Sequence, residues 1–331
     1  TNSTVTTQHC NAIRMLNTQI TSRTGTSEQF AAGLERFIIG LGKKVLLANS
    51  FASVCDGFYN ADFFSYGAGA AWVAALAYAL QIYYDFSGYS DMAIGLGKLF
   101  GFELPENFNY PYAASSITDF WKRWHITLTD FFRDYVYIPL GGNRRGKFRT
   151  AMNRFIVFFT TGLWHGAAFN FIIWGLAHGT LMTAERVSCK KTGSSKGSHG
   201  LRLAIAVLFR TYTLFSILML WIVFRNGSKR SLKIIMKMFG LNYTKFTGHF
   251  RPVVPNDFQL YTIDSKFWIL FAIGILFSFP WWRKLPVRSD RGTVLSISLS
   301  VIRYASLVCI ILLCYASLAA NSYNPFIYFR F

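Results

Sequence analysis

Apolar residues fall in long runs separated by polar, mostly basic segments, and these runs set the elements. Residues 28 to 55 read as an amphipathic stretch, with Lys43 and Lys44 inside it. Residues 61 to 84 are Ala-rich and carry Trp72, Tyr78, Tyr83 and Tyr84. They make a transmembrane candidate, because a run of about 20 apolar residues crosses the hydrocarbon core of a bilayer. Residues 86 to 113 are mixed, with Glu103 and Glu106 and with Pro105 and Pro111 as breakers. Asp85 and Asp91 bracket Phe86-Ser87-Gly88-Tyr89-Ser90; capping of a helix after a break is preferred over the lining of a polar cavity. Residues 116 to 138 predict a helix with Ser116 or Thr118 as N-cap, an apolar strip of Phe120, Trp124, Leu128 and Phe131, and a stop at Pro139, Gly141 and Gly142.

Phe155 to Ala184 contains no charged residue, and its only ionisable groups of note are His165 and His178. Basic segments flank it on both sides: Asn143-Arg144-Arg145-Gly146-Lys147-Phe148-Arg149 before it, and Arg186 to Arg202 after it. If both are cytoplasmic, the run must return to its starting side, and two full spans would need about 40 residues. A re-entrant or broken hairpin, buried among other helices, is expected instead. Leu203 to Phe224 predicts a further span, with Arg210 facing protein or snorkelling. Ser228 to Phe239 is a basic amphipathic piece suited to a surface. Leu241 to Asp264, the least basic long loop, suits the outer side. Phe267 to Phe279 is short and ends in the interfacial pair Trp281 and Trp282; Arg283, Lys284, Arg288 and Arg291 mark a cytoplasmic loop, and Val294 to Ala320 is the last span. The fold class is therefore all-α, a multi-pass integral membrane protein, taken as a single membrane-embedded domain over residues 1–331.

Composition agrees with this pattern. Charged residues are 15% of the 331, against about 25% in soluble domains, and mean hydropathy is +0.29. The net charge of +19 sits between the apolar runs, which marks cytoplasmic loops rather than a nucleic-acid surface. The five cysteines, Cys10, Cys55, Cys189, Cys309 and Cys314, form no C-x-x-C pair, so neither a disulfide framework nor a zinc site is expected. The first residues, Thr1 to Thr7, have no initiator Met, basic region or apolar region of a leader, and further membrane segments are expected to precede them.

Two histidines in apolar surroundings are the sharpest chemical signal: His125 in Trp121-Lys122-Arg123-Trp124-His125, and His165 in Gly162-Leu163-Trp164-His165-Gly166. Ionisable groups inside a membrane are costly and suggest function, although a neutral imidazole can simply bond across helices. Acyl transfer to a hydroxyl needs a base near that hydroxyl, a task suited to imidazole. His178 lies between Gly175 and Gly179 and reads as packing. Arg144, Arg145 and Lys147 are weak candidates for the phosphates of an acyl donor, and a topology signal is the better reading. No serine elbow, P-loop, dinucleotide fingerprint or metal-ligand spacing occurs.

Several runs carry a family resemblance. They are Gln81 to Gly95 (QIYYDFSGYSDMAIG), Pro105 to Tyr112 (PENFNYPY), Asp119 to His125 (DFWKRWH), Phe132 to Asn143 (FRDYVYIPLGGN), Gly162 to Ala167 (GLWHGA) and Asn324 to Phe331 (NPFIYFRF). Together they resemble the membrane-bound O-acyltransferase family, and more narrowly its alginate O-acetyltransferase branch. The resemblance implies a ring of tilted helices around a central tunnel, with re-entrant segments and the signature histidine, here His165, at the narrow point. His125 matches the assisting polar residue about forty positions upstream. It implies no permanently bound cofactor and acetyl-CoA as cytoplasmic donor. The acetyl group would cross the bacterial inner membrane to an extracytoplasmic acetyltransferase partner acting on an exported polysaccharide. Members of the family begin with several more helices, so this chain is expected to lack part of the tunnel wall. D-alanyl and peptidoglycan O-acyl transfer are alternatives within the family. Outside it, the alternatives are a proton-coupled carrier using His125, His165, Asp85 and Asp91, and a structural subunit that docks a secreted enzyme.

Overall fold

The computed structural model describes residues 19–20, 25–61, 66–192, 199–243, 250–252, 263–281 and 294–320. The expectations for Thr1 to Thr7, Cys10, the middle of the second basic segment with the Cys189 side chain, most of the 241–264 loop, Trp282 and the basic residues after it, and the Asn324–Phe331 tail lie outside the described residues.

The described chain is helical, apart from one hairpin of two three-residue strands, β1 (Leu241–Tyr243) and β2 (Phe250–Pro252), paired antiparallel with Asn242 opposite Arg251. The helices are α1 (Ser27–Gly42), α2 (Asn49–Asn60), α3 (Ala68–Leu99), α4 (Ile117–Trp121), α5 (Ile126–Phe132), α6 (Gly146–His165), α7 (Phe169–Thr192), α8 (His199–Asn226), α9 (Ser228–Met238), α10 (Ser265–Phe277) and α11 (Val294–Ala319). A π-helical segment, Lys43–Ala48, joins α1 to α2, and a second, Arg133–Tyr137, follows α5. Among the described residues, three stretches are long and apolar enough to cross a membrane: Ser27–Asn60, Gly200–Asn226 and Ile297–Ala319. The first is longer and more apolar than the amphipathic stretch expected there. The last buries only 6% of its most apolar window and turns Ile297, Val301, Ile302, Val308 and Leu312 outward. Apolar surface of that kind is stable in lipid and costly in water.

The residues group into two compact units. Residues 1–49, 83–107 and 281–330 form the first, built on α1, the C-terminal half of α3 and α11. Here α1 and α3 approach backbone to backbone: a Cβ on Gly33 would lie 2.8 Å from the Gly95 carbonyl oxygen, and one on Gly40 would lie 2.7 Å from that of Gly88. The capping expectation for Asp85 and Asp91 is corrected in this unit. Helix α3 runs unbroken through both, and both carboxylates are buried in ion pairs. Asp85 pairs with Lys44, while Asp91 takes Arg36 and Lys43, each at 2.6 Å; Arg36 also reaches Glu106 at 2.6 Å. Charge satisfied from a neighbouring helix does not need a helix end.

Residues 50–82 and 108–280 form the second unit. The α6–α7 pair is an antiparallel hairpin, as the charge-free run predicts, and it returns to its starting end: Arg186 Nη1 donates to Asn143 Oδ1 at 3.1 Å, joining the two basic segments. Helix α9 is amphipathic, as its sequence predicts: one face is packed, while Lys229, Arg230 and Leu232 are exposed. Its Lys237, 1% exposed, donates to the Tyr66 carbonyl at 2.7 Å, and Ile234 and Ser231 are buried. The expected single helix over 116–138 is broken. Ser116 does cap α4, accepting from Asp119 N at 3.0 Å, but the helix stops at Trp121 and restarts at Ile126. The break shifts the phase of the apolar strip, so Phe120 and Trp124 are buried while Phe131 is exposed and Phe132 takes the inner position.

Candidate active site

His165 is the last helical residue of α6. The helix ends there because Gly166 adopts φ 146°, open to glycine and strained for other residues, and its N–H turns back to the Leu163 carbonyl at 3.1 Å. The two arms of the hairpin touch through backbone. A Cβ on Gly162 would sit 2.5 Å from the Phe171 carbonyl oxygen, and one on Gly175 would collide with that of Phe158. These small residues bring α7 close enough to lay its side chains against His165.

The half-buried His165 ring lies 5.3 Å from Trp174, 5.0 Å from Phe224 and 6.2 Å from Phe171, centroid to centroid, with Trp164 at 4.9 Å. Trp174 and Phe224 are almost fully buried, so one side of the imidazole is held by a rigid aromatic wall. Asn170 fastens that wall by donating to the Phe224 carbonyl at 2.9 Å, which ties the start of α7 to the end of α8. Trp164 is 52% exposed, and its outer ring edge leads to His125, 6.0 Å away.

His125 sits in the break between α4 and α5 with φ 47°, a left-handed conformation unusual for a residue with a side chain. The surroundings impose it. Asn109 N donates to the Arg123 carbonyl at 3.0 Å, and Thr129 Oγ1 donates to the Trp121 carbonyl at 3.2 Å. Trp124 is held by Phe108 at 5.1 Å, Phe120 at 5.6 Å and Trp221 at 4.9 Å. Nearby, Asp119 falls below the ordinary carboxylate range: burial works against its charge, but bonds from Arg123 and from the Ser115 backbone outweigh it.

The two histidines picked out from the sequence therefore meet in one aromatic cluster, bridged by Trp164. His178 touches the same Trp174 ring, at 4.7 Å, but is closed off from solvent. It is 1% exposed, within 2.9 Å of the Trp174 carbonyl through Nδ1, and wedged between Trp121 at 5.2 Å and Phe158 at 6.0 Å. Arg144, Arg145 and Lys147 are exposed at the opposite end of α6, a helix of 20 residues and so about 30 Å long. They lie far from the His165 ring. Among the described residues no group of three His, Cys, Asp or Glu side chains is placed to hold a metal. Sequence reasoning missed Trp174, Phe224 and Asn170. Once a hairpin about Gly166 is assumed, Trp174 could be found by its return past the turn, whereas Phe224 carries no such signal.

A half-buried imidazole at a helix end, walled on one side and linked through Trp164 to a second imidazole, suits proton transfer at a substrate hydroxyl. The sequence profile of the membrane-bound O-acyltransferase family matches residues 7–226, a stretch that contains both histidines and the whole aromatic wall. The chain belongs to the membrane-bound O-acyltransferase family. It is 37% identical to the Pseudomonas putida protein named "Probable alginate O-acetylase AlgI", over 95% of this chain and 64% of that one. It is 36% identical to the "Peptidoglycan O-acetyltransferase" of Helicobacter pylori, over 91% of this chain and 56% of that one. It is 40% identical to the "Teichoic acid D-alanyltransferase" of Bacillus subtilis, but over only 32% of this chain and 29% of the other. The chain spans 64% and 66% of the length of the first two alginate-type relatives. As a member of this family it is a membrane protein, in agreement with its apolar helices.

Proposed function

We propose that this chain forms the transfer core of an O-acyltransferase of the bacterial inner membrane. It would move an acetyl group from cytoplasmic acetyl-CoA to an extracytoplasmic partner protein that esterifies an exported, alginate-like polysaccharide. The observation that carries this reading is the placement of His165 and His125 in one cluster, inside the stretch that matches the family. The greater coverage by alginate-type and peptidoglycan relatives than by the D-alanyl transferase favours an acetyl group and a glycan.

In this mechanism His165 takes the proton of the acceptor hydroxyl as its oxygen attacks the thioester carbonyl. The carbonyl electron pair becomes an oxyanion, which a proton donor such as His125 stabilises. Collapse of that intermediate forms the ester and expels the thiolate, which recovers the proton from His165. Trp174 and Phe224 hold the imidazole in place and keep bulk water from that face. The basic segment around Arg144, Arg145 and Lys147 marks the cytoplasmic end of the hairpin. The carrier alternative finds less support, since Asp85 and Asp91 already hold cations in buried ion pairs and do not stand ready as relay groups.

The test is acetyl transfer by the full-length protein in membranes with its partner. His165→Ala is expected to lower transfer by about a hundredfold or more, the scale of a lost general base. Unchanged transfer would remove His165 from the reaction.

A further inference from the structure

Glu185 lies on α7, almost fully buried, and is not among the residues expected to act. Its carboxylate accepts three hydrogen bonds: from Ile117 N at 2.6 Å, Thr118 N at 3.1 Å and Thr118 Oγ1 at 3.0 Å. Those two amides open α4, the five-residue helix that leads into the His125 break. The first amides of a helix have no partner inside it, and a carboxylate there is favoured by both hydrogen bonding and the helix dipole. A helix of five residues is not stable by itself, so its position is set by what holds it.

Two contacts hold α4 along α7. At its start Glu185 takes the free amides. At its end Trp121 packs 5.6 Å from Trp174 and 5.2 Å from His178, both on α7. Trp174 is also the wall of His165. One helix therefore registers both imidazoles: through Trp174 directly for His165, and through α4 for His125, from a point about 16 Å further along its axis at 1.5 Å per residue. The left-handed backbone at His125 makes this register necessary, because a strained conformation persists only where the surroundings fix it.

We propose that Glu185 is a positioning residue for the reaction at His165, acting through α4 to set the place of the His125 imidazole. This rests on the acyl-transfer reading. The two are separated by following His125 itself as well as turnover.

The experiment uses the full-length protein in membranes, with Glu185→Ala and Glu185→Gln made alone and in a His125→Ala background. Glu185→Ala is expected to lower kcat by about tenfold to a hundredfold, the effect of a displacement near 1 Å, with KM for the acyl donor little changed. Glu185→Gln keeps one acceptor oxygen and is expected to recover part of the rate. In the His125→Ala background Glu185→Ala should add no further loss. A second arm needs no activity: carbethoxylation of each histidine by diethyl pyrocarbonate, read by peptide mass spectrometry. Glu185→Ala should change the rate at His125 and leave His165 as in the wild type. Equal rates at His125 in wild type and variant would overturn the proposal, as would a full further loss in the His125→Ala background. A change at both histidines would show general unfolding and would also overturn it. If the wild type transfers no acetyl group, the functional reading fails while the labelling still decides the positioning.

Discussion

A residue with a side chain at φ 47° costs about 1 kcal/mol relative to the right-handed regions, and His125 bears that cost beside His165. Glycine would remove it. His125→Gly is therefore expected to be more thermally stable than His125→Ala, although both lose the imidazole and transfer activity with it; a fluorescence melting curve in detergent checks the order. Equal melting temperatures would mean that the backbone there relaxes at no cost. Both histidines were legible in the sequence because an imidazole among Trp and Gly in an apolar run stands out. The strain at His125 was not, since φ is set in part by Asn109, which lies well upstream and whose amide meets the Arg123 carbonyl, as well as by the Thr129 hydroxyl on the Trp121 carbonyl. Phe224 stayed hidden for a related reason: it is one of many phenylalanines on a span, and only tertiary packing brings it to His165.

Among the elements, α8 and α11 were readable as spans, whereas the first span was taken as amphipathic, and residues 61–84, expected to span, fall largely in α3, which is not among the stretches apolar enough to cross. The break expected in α3 is absent for a physical reason. Asp85 and Asp91 inside an apolar run look like a break when the run is seen alone, but their cations come from α1 and the π segment after it. A buried ion pair is expensive to halve and cheap to delete. Lys44→Met should destabilise the protein by about 3–5 kcal/mol, because it strips Asp85 of its ion-pair partner. Adding Asp85→Leu should recover most of the loss. Urea or thermal denaturation of the two variants in the same detergent gives the comparison, and a double variant no better than the single would show that the pair does more than neutralise charge. The α4–α5 break misled the reading in the opposite sense. Phe120, Trp124, Leu128 and Phe131 keep helical spacing on paper, yet four non-helical residues at 122–125 rotate the second half, and Phe131 ends outside.

At the level of the molecule, the membrane class followed from composition and run length, and the structure adds which runs are unable to stand alone in lipid. Neither α6 nor α7 is among the three stretches long and apolar enough to span. Their polar groups, Asn153, Thr161, Asn170, His178 and Glu185, are buried all the same. The charge-free run predicted a hairpin because thirty residues cannot make two spans; the hairpin forms, closed by the contact between Arg186 and Asn143, but its arms extend into the flanking basic segments and reach 20 and 24 residues.

That closure reaches back to synthesis. A nascent chain that has delivered α6 alone to the translocon offers it a poor candidate, with Lys147, Arg149 and Arg154 on one arm and nothing to cover Gly162. Commitment to lipid should wait until the returning arm has emerged and the two can enter together. Fused behind a translocated segment that does not itself insert, α6 and the turn after it (residues 146–168) should remain extractable by alkali, whereas the hairpin (residues 146–192) should resist it. Resistance of the shorter piece would mean that α6 enters by itself.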